Sequence, residues 1–285
     1  MKLPAIVVHG GAGSWKDDRI PIGLAEVENA AKVGFRILET GGSCLDAAEA
    51  CTLYMESCGK LNAGLGARPN SDGEKELDAI IIDGFELKTG AVMAVKGIQN
   101  PTSLARYVME ETEYVMFAGE GARRLYDRMM SEGYRKEAEH GAIQMPLLEE
   151  GGDTVGCIAV DVGGRIAATS STGGISEKLP GRVGDSPVFG AGAYANKVCG
   201  ATATGYGEHI VRVVMCRMAV QYYENGASIQ KASDMAIELL ERDTGSEAGI
   251  VMASANGDFG KSTNAKAMPT VAIRENIDSI ERFTR

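Results

Sequence analysis

Strand-like and helix-like stretches do not alternate one by one along this chain; they come in blocks. "PAIVVHGG" is a continuous apolar run into a glycine turn and reads as a buried strand. Leu24, Val27, Ala31, Phe35 and Leu38 then recur at helical spacing, and Gly41-Gly42 stops that helix. Ser43 followed by Asp46 resembles a capping box opening a second helix, to about Met55. "ELDAIIIDG" and "GAVMAVKG" follow as two strands with a hairpin-like link. A helical region is expected over roughly residues 102–132, and the charged stretch "SEGYRKEAEHG" after it reads as a solvated linker. Strands resume with "TVGCIAVD" and "RIAATSS", separated by the Gly163-Gly164 turn. Beyond a loop-rich segment reaching residue 207, a long helix is expected from about Glu208 to Glu224, ended by Gly226. Ser228 caps another helix to about Arg242, and "GIVMAS" and "TVAIRE" close the chain as strands. This order excludes the strict βαβ alternation of a doubly wound sheet. It fits an α+β architecture, two sheets packed face to face with helices on both outer sides, and no internal repeat interrupts it.

With 285 residues, 44% hydrophobic and 24% charged, the chain has the composition of a folded globular protein. Its formal net charge of −10 argues against a nucleic-acid surface, which needs clustered Lys and Arg. No apolar run is long enough to span a bilayer, and "MKLPAIVVHGG" lacks signal-peptide architecture, so a cytoplasmic location is expected. The six cysteines include no C-x-x-C pair. Cys44, Cys51 and Cys58 recur every seven residues, which in a helix returns to one buried face.

Three histidines, His9, His140 and His209, are the only ones available to a Ser-His-Asp or Cys-His mechanism, and no G-x-S-x-G elbow accompanies them. "HGGAGSW" superficially resembles a phosphate-binding turn, but Lys16 stands where a dinucleotide fingerprint needs its third glycine. It reads instead as a pocket wall or as packing against a neighbouring strand. The informative cluster is "GGDTVG", "SSTGG", "GRVGDSP" and "TGYGE", which places Thr154, Thr172 and Thr204 close to glycines. An N-terminal threonine can be its own base, because an α-amine titrates near pH 7.7–8.0 and can take the hydroxyl proton. A second hydroxyl can orient that nucleophile, and glycine N–H groups or a threonine can hold an oxyanion. Arg182 and Asp185 in one tight loop suit a ligand with both carboxylate and amine, an α-amino acid. Singly each piece has a structural explanation, since threonines favour strands, glycines make turns and an Arg–Asp pair can bond to itself. In this order and proximity, a common catalytic purpose accounts for them better.

Together with "VVHGGAG", "GGSCLDAAEA", "LNAGLGA" and "ELDAIIIDG", these motifs resemble, over essentially the whole chain, the isoaspartyl peptidase/L-asparaginase family of N-terminal-nucleophile hydrolases. The resemblance implies a four-layer αββα sandwich in one domain, residues 1–285, made as a precursor that cuts itself between Asp153 and Thr154 into an α chain, 1–153, and a β chain, 154–285. It implies Thr154 as nucleophile, Thr172 as its support, and Arg182 and Asp185 as partners of the substrate α-carboxylate and α-amine, on a loop that includes Val183 and Gly184. Thr204, Gly205, Tyr206 and Gly207 would line the oxyanion and substrate side, and Asn62 matches an asparagine that points into the site. The substrates implied are L-asparagine and isoaspartyl dipeptides. No catalytic cofactor is implied; carbonyls of residues 55–65 match a loop that holds a structural sodium ion, and an (αβ)₂ homodimer is implied as well. One departure is Asp153, where many asparaginases of the group carry glycine and glycosylasparaginases carry aspartate. Glycosylasparaginase activity is therefore one alternative, and an uncleaved amino-acid-binding relative is another.

Overall fold

The structure is a computed structural model that describes residues 2–134 and 154–285. Its elements in chain order are β1 (Ala5–His9), α1 (Ile20–Glu39), α2 (Cys44–Ser57), a 3₁₀ turn at Gly64–Gly66, β2 (Leu77–Asp83), β3 (Lys88–Val95), α3 (Pro101–Glu111), β4 (Met116–Ala118) and α4 (Gly119–Ser131). From Thr154 onward come β5 (Val155–Val160), β6 (Ile166–Thr172), β7 (Ala193–Ala195), β8 (Cys199–Gly205), α5 (Gly207–Val213), α6 (Met215–Glu224), α7 (Ile229–Thr244), β9 (Ala248–Ser254), β10 (Phe259–Thr263), β11 (Thr270–Arg274) and β12 (Ile280–Phe283).

The helix signals read from the sequence have physical counterparts. Ser43 Oγ accepts the Asp46 N–H at 3.1 Å, and Ser228 Oγ accepts that of Lys231 at 3.2 Å, so both N-caps satisfy otherwise orphaned donors. Cys44 and Cys51 are buried, and Cys58 packs beside them against the same core. Three expectations need correction. The region 102–132 is two helices with β4 between them, because β4 pairs in parallel with β3 at the sheet edge. The segment before residue 207 contains β7 and β8, and β8 lies inside a sheet, between β7 and β9. The helix expected over 208–224 is broken at Val214, whose left-handed φ of 48° no α-helix accommodates. The charged linker lies largely outside the described residues, as do His140 and Asp153.

Eight strands form one sheet in the order β12-β11-β1-β5-β6-β2-β3-β4, and four form another in the order β10-β9-β8-β7. One face of the larger sheet is covered by α1 and α2, around Ile6, Val8, Phe35, Leu38, Cys157 and Ile273, and further along by α3 and α4, around Ile81, Val92, Leu104 and Tyr107. Its other face, with Ile80, Ile82, Ile158 and Ile166, meets Val251 and Ala253 of the smaller sheet. The smaller sheet's far side carries α6 and α7, through Ala201, Ala203, Met215, Val220 and Leu240. Strands from the two halves of the sequence are interleaved: β1 pairs with β5 and β11, and β2 pairs with β6.

Candidate active site

Thr154 stands immediately before β5, and the pairing of Val155 with Ser171 sets it beside Thr172, the last residue of β6. Neighbouring residues of a strand point to opposite faces. Since Val155 packs under the helices, Thr154 and Thr172 belong to the face between the sheets.

Close contacts of glycines fix what lies across that space. A β-carbon on Gly156 would fall 2.3 Å from Thr202 Oγ1 and 2.4 Å from His9 Nε2. One on Gly200 would fall 2.9 Å from Ile166 Cγ2 and 3.0 Å from Ile158 Cγ2. Thus β5 and β8 run past each other in opposite senses, Gly156 facing Thr202 and Ile158 facing Gly200. Continuing two residues in the other direction sets Thr204 opposite Thr154. Both are almost wholly enclosed, as is Thr172, with exposures of 0%, 3% and 2% respectively.

Each threonine is oriented. Thr172 Oγ1 accepts the Gly174 N–H at 2.9 Å, and Thr204 Oγ1 accepts the Ala12 N–H at 3.1 Å. The Ala12 contact assigns a purpose to the "HGGAG" turn: it packs against the strand bearing Thr204 rather than cradling a phosphate. The Thr154 and Ser186 hydroxyls lie 3.2 Å apart, which ties the Arg182–Asp185 loop to Thr154. Asn62 Nδ2 donates to the Gly174 carbonyl at 2.7 Å, its Oδ1 accepts the Arg68 N–H at 2.9 Å, and its own carbonyl accepts the Gly173 N–H at 3.1 Å. Asn62 therefore holds the turn that follows Thr172.

Arg182 Nε and Nη2 donate to the two oxygens of Glu208 at 2.8 and 2.7 Å, a bidentate pair. Glu208 is thereby held below the usual carboxylate range. The pair leaves Nη1 on the side of Gly184, where a β-carbon would lie 2.8 Å from it. A β-carbon on Gly207 would fall 2.8 Å from Asp185 Oδ1 and 3.0 Å from Arg182 Nη2, so only glycine lets the start of α5 approach this loop. Asp185 is buried, Val183 half-buried and Tyr206 exposed, the last stacked edge-on against His209 at 4.9 Å.

His9 is fully enclosed, and burial pushes its pKa down to about 3. Its Nδ1 accepts the Gly11 N–H at 3.3 Å, so the neutral ring carries its proton on Nε2, 3.4 Å from Thr202 Oγ1, and that hydroxyl donates to the Gly192 carbonyl at 3.2 Å. This is a structural histidine, two strand positions from the threonines. Ser186 and Glu208 were not singled out by sequence reasoning. Ser186 sat inside the quoted "GRVGDSP", and Glu208 closes "TGYGE"; their contacts became visible only when the two motifs met in space.

Comparison with known proteins identifies the family. The family model described as Asparaginase matches residues 2–142 and 133–280. The chain is 36% identical to an isoaspartyl peptidase/L-asparaginase of Danio rerio, over 96% of this chain and 93% of that one. It is 36% identical to the protein of the same name from Homo sapiens, over 95% and 94% of the two chains. A plant-type L-asparaginase of Pyrococcus furiosus is 38% identical over 98% of this chain and 99% of its own. With matches along nearly its entire length, and with its threonines and arginine gathered at one end of the space between two sheets, this chain belongs to the asparaginase family of isoaspartyl peptidases and plant-type asparaginases.

Proposed function

We propose that this protein is a self-processing amidohydrolase that releases L-aspartate from L-asparagine and from isoaspartyl dipeptides. The observation that carries the reading is the enclosed convergence of Thr154, Thr172 and Thr204, with the Arg182–Asp185 loop tied on through Ser186. In the precursor, Thr154 Oγ1 attacks the carbonyl of Asp153, and hydrolysis of the resulting ester leaves an α chain, 1–153, and a β chain, 154–285. The two remain together because β1 of one is hydrogen-bonded between β11 and β5 of the other, and β2 is hydrogen-bonded to β6. The layers described above support a four-layer αββα sandwich, one domain before and after the cut.

The new α-amine, titrating near neutrality, takes the Thr154 hydroxyl proton as the oxygen attacks the substrate side-chain carbonyl. Thr172 Oγ1 accepts the Gly174 N–H, which fixes its hydroxyl beside the nucleophile it supports. Thr204, likewise an acceptor from Ala12, can donate to the oxyanion together with the backbone of Gly205. Collapse of the tetrahedral intermediate expels ammonia or the amine of the leaving residue, and water then hydrolyses the aspartyl ester on Thr154. Glu208 fixes the guanidinium plane so that Nη1 of Arg182 meets the substrate α-carboxylate, while Asp185 meets the α-amine. Val183, Gly184, Tyr206 and Gly207 line the approach, and Asn62 acts by holding the Gly173-Gly174 turn.

A structural sodium ion in the 55–65 loop fits the donors present. β-Carbons on Gly64 and Gly66 would fall 2.3 Å from the Glu56 carbonyl and 2.1 Å from that of Leu61, so backbone oxygens face this turn. Such an ion would brace the loop bearing Asn62. We also propose an (αβ)₂ homodimer, testable by light scattering. Among the described residues no helix is long and apolar enough to cross a membrane, and all six cysteines are unpaired, which suits a reducing cytoplasm. The test of function is aspartate release from asparagine, an isoaspartyl dipeptide and a glycosylated asparagine. The first two should be hydrolysed; release from the third alone would overturn the reading in favour of a glycosylasparaginase.

A further inference from the structure

A buried ion pair lies beside these threonines. Asp78 on β2 is directly opposite Thr172 on β6, so Asp78, Thr172 and Thr154 form one row across three adjacent strands. Asp78 is wholly enclosed; its Oδ1 accepts the Ala94 N–H at 2.7 Å, while Oδ2 has no hydrogen-bond donor among the described residues. The nearest cation is Lys178 Nζ at 3.9 Å, and both side chains are 0% exposed.

Lys178 reaches down from the loop between Thr172 and Arg182. Its ammonium donates to the Glu76 carbonyl at 3.1 Å, and its own carbonyl accepts the Ser71 N–H at 2.8 Å. Three residues on, the Gly181 N–H donates to both oxygens of Glu76, at 3.1 and 2.9 Å. At the other end of the loop, a β-carbon on Gly174 would fall 2.8 Å from Lys178 Cδ, and Gly174 is the residue whose N–H orients Thr172. One lysine thus bears on both ends of the loop. Stability gives no reason to prefer this arrangement, because a buried ion pair is often no better than two apolar side chains of similar volume.

We propose that Asp78 and Lys178 are a positioning pair for the active site: their attraction seats the Gly173–Arg182 loop on the end of β2, which sets Thr172 beside Thr154 and aims Arg182 at the substrate carboxylate. This rests on the functional reading given above. The pair needs Asp78 ionised. Burial raises its pKa to about 6, with Lys178, the Ala94 N–H and Arg182 pulling it back and Glu76 pushing it up. Below that pH the carboxyl takes up a proton and releases the lysine.

The test uses the full, self-processed protein with asparagine as substrate, and compares Asp78→Asn, Lys178→Met and the double variant with wild type. Each single variant should lose at least about tenfold in kcat/KM, and the double variant should be no worse than the poorer single, because two members of one unit are not additive. Every active form should lose rate as the Thr154 α-amine is protonated, but the wild-type acid limb should steepen again near pH 6, and that second step should be absent from Asp78→Asn. Should a single variant fail to fold, the uncharged double variant supplies both readouts. Wild-type kinetics and an unchanged acid limb in the variants, with only Tm altered, would overturn the proposal. If wild type does not hydrolyse asparagine at all, the functional reading fails and the pair is judged by L-aspartate affinity in calorimetry. About tenfold weaker binding by the variants then supports it, and equal affinity overturns it.

Discussion

The two ends of the space between the sheets are built on opposite principles. At one end Ile158, Ile166 and Gly200 interlock with Val160, Val251 and Ala253, without a polar side chain among them. At the other, further along the same sheets, stand Thr154, Thr172, Thr202, Thr204, Ser170, His9 and Asp78, all buried. Apolar burial at the first end contributes stability in proportion to the area removed from water. The second end gives up that contribution and requires a hydrogen bond for each buried polar atom. The chain holds its chemistry there because the dry end keeps the two sheets in register.

The largest expected effect falls on the dry end. Ile158→Ala should destabilise the fold by about 2–5 kcal/mol in denaturant unfolding, with KM unchanged, since its cavity opens away from the threonines. A shift in KM of similar size would mean that the two ends are not separable. At the polar end, Thr172→Val keeps shape and removes one hydroxyl; kcat should fall by about 10²-fold, whereas stability should fall by only about 1 kcal/mol as the Gly174 N–H loses its acceptor. Equal losses of stability and rate would make Thr172 a packing residue.

His9 gives a comparison through pH. In the unfolded chain it binds a proton below about 6.5, whereas in the fold it stays neutral down to about 3. The unfolded state therefore holds more protons in that window, and stability is lost as pH falls through it, by up to about 1.4 kcal/mol per pH unit. Chemical denaturation of His9→Asn between pH 7 and 4 should give a flatter curve than wild type; parallel curves would refute the assignment of His9 as a buried neutral imidazole. Smallest is Ser170→Ala. Its Oγ is buried with no hydrogen-bond partner among the described residues, so the variant should be at least as stable, gaining about 1 kcal/mol. A loss instead would indicate that this hydroxyl is satisfied by a bound water.

The contrast also explains what could be read from the sequence. Continuous apolar runs such as those in β1, β2 and β5 are unambiguous because large branched side chains declare a buried strand. β8, "CGATATG", reads as a loop because small residues carry no such signal, yet it is almost entirely buried. Its glycine and threonines are small because the facing sheet comes within contact distance there, as Gly200 demonstrates. The break at Val214 left no trace either, since no glycine or proline marks it. Among site residues, the threonines and Arg182 stood in quotable motifs. Ser186, Glu208, Asp78 and Lys178 gained their meaning only from partners brought close by folding, which local pattern does not encode.

The central claim is that Thr154 becomes a chain terminus whose own nitrogen serves as its base. It is tested most directly by intact-mass measurement and N-terminal sequencing of fully active protein, with Thr154→Ala in parallel. Wild type should resolve into two fragments, the second beginning Thr-Val-Gly-Cys, while the variant stays in one piece and loses activity by on the order of 10⁴-fold or more. Undiminished hydrolysis by an unbroken chain of 285 residues would contradict the account.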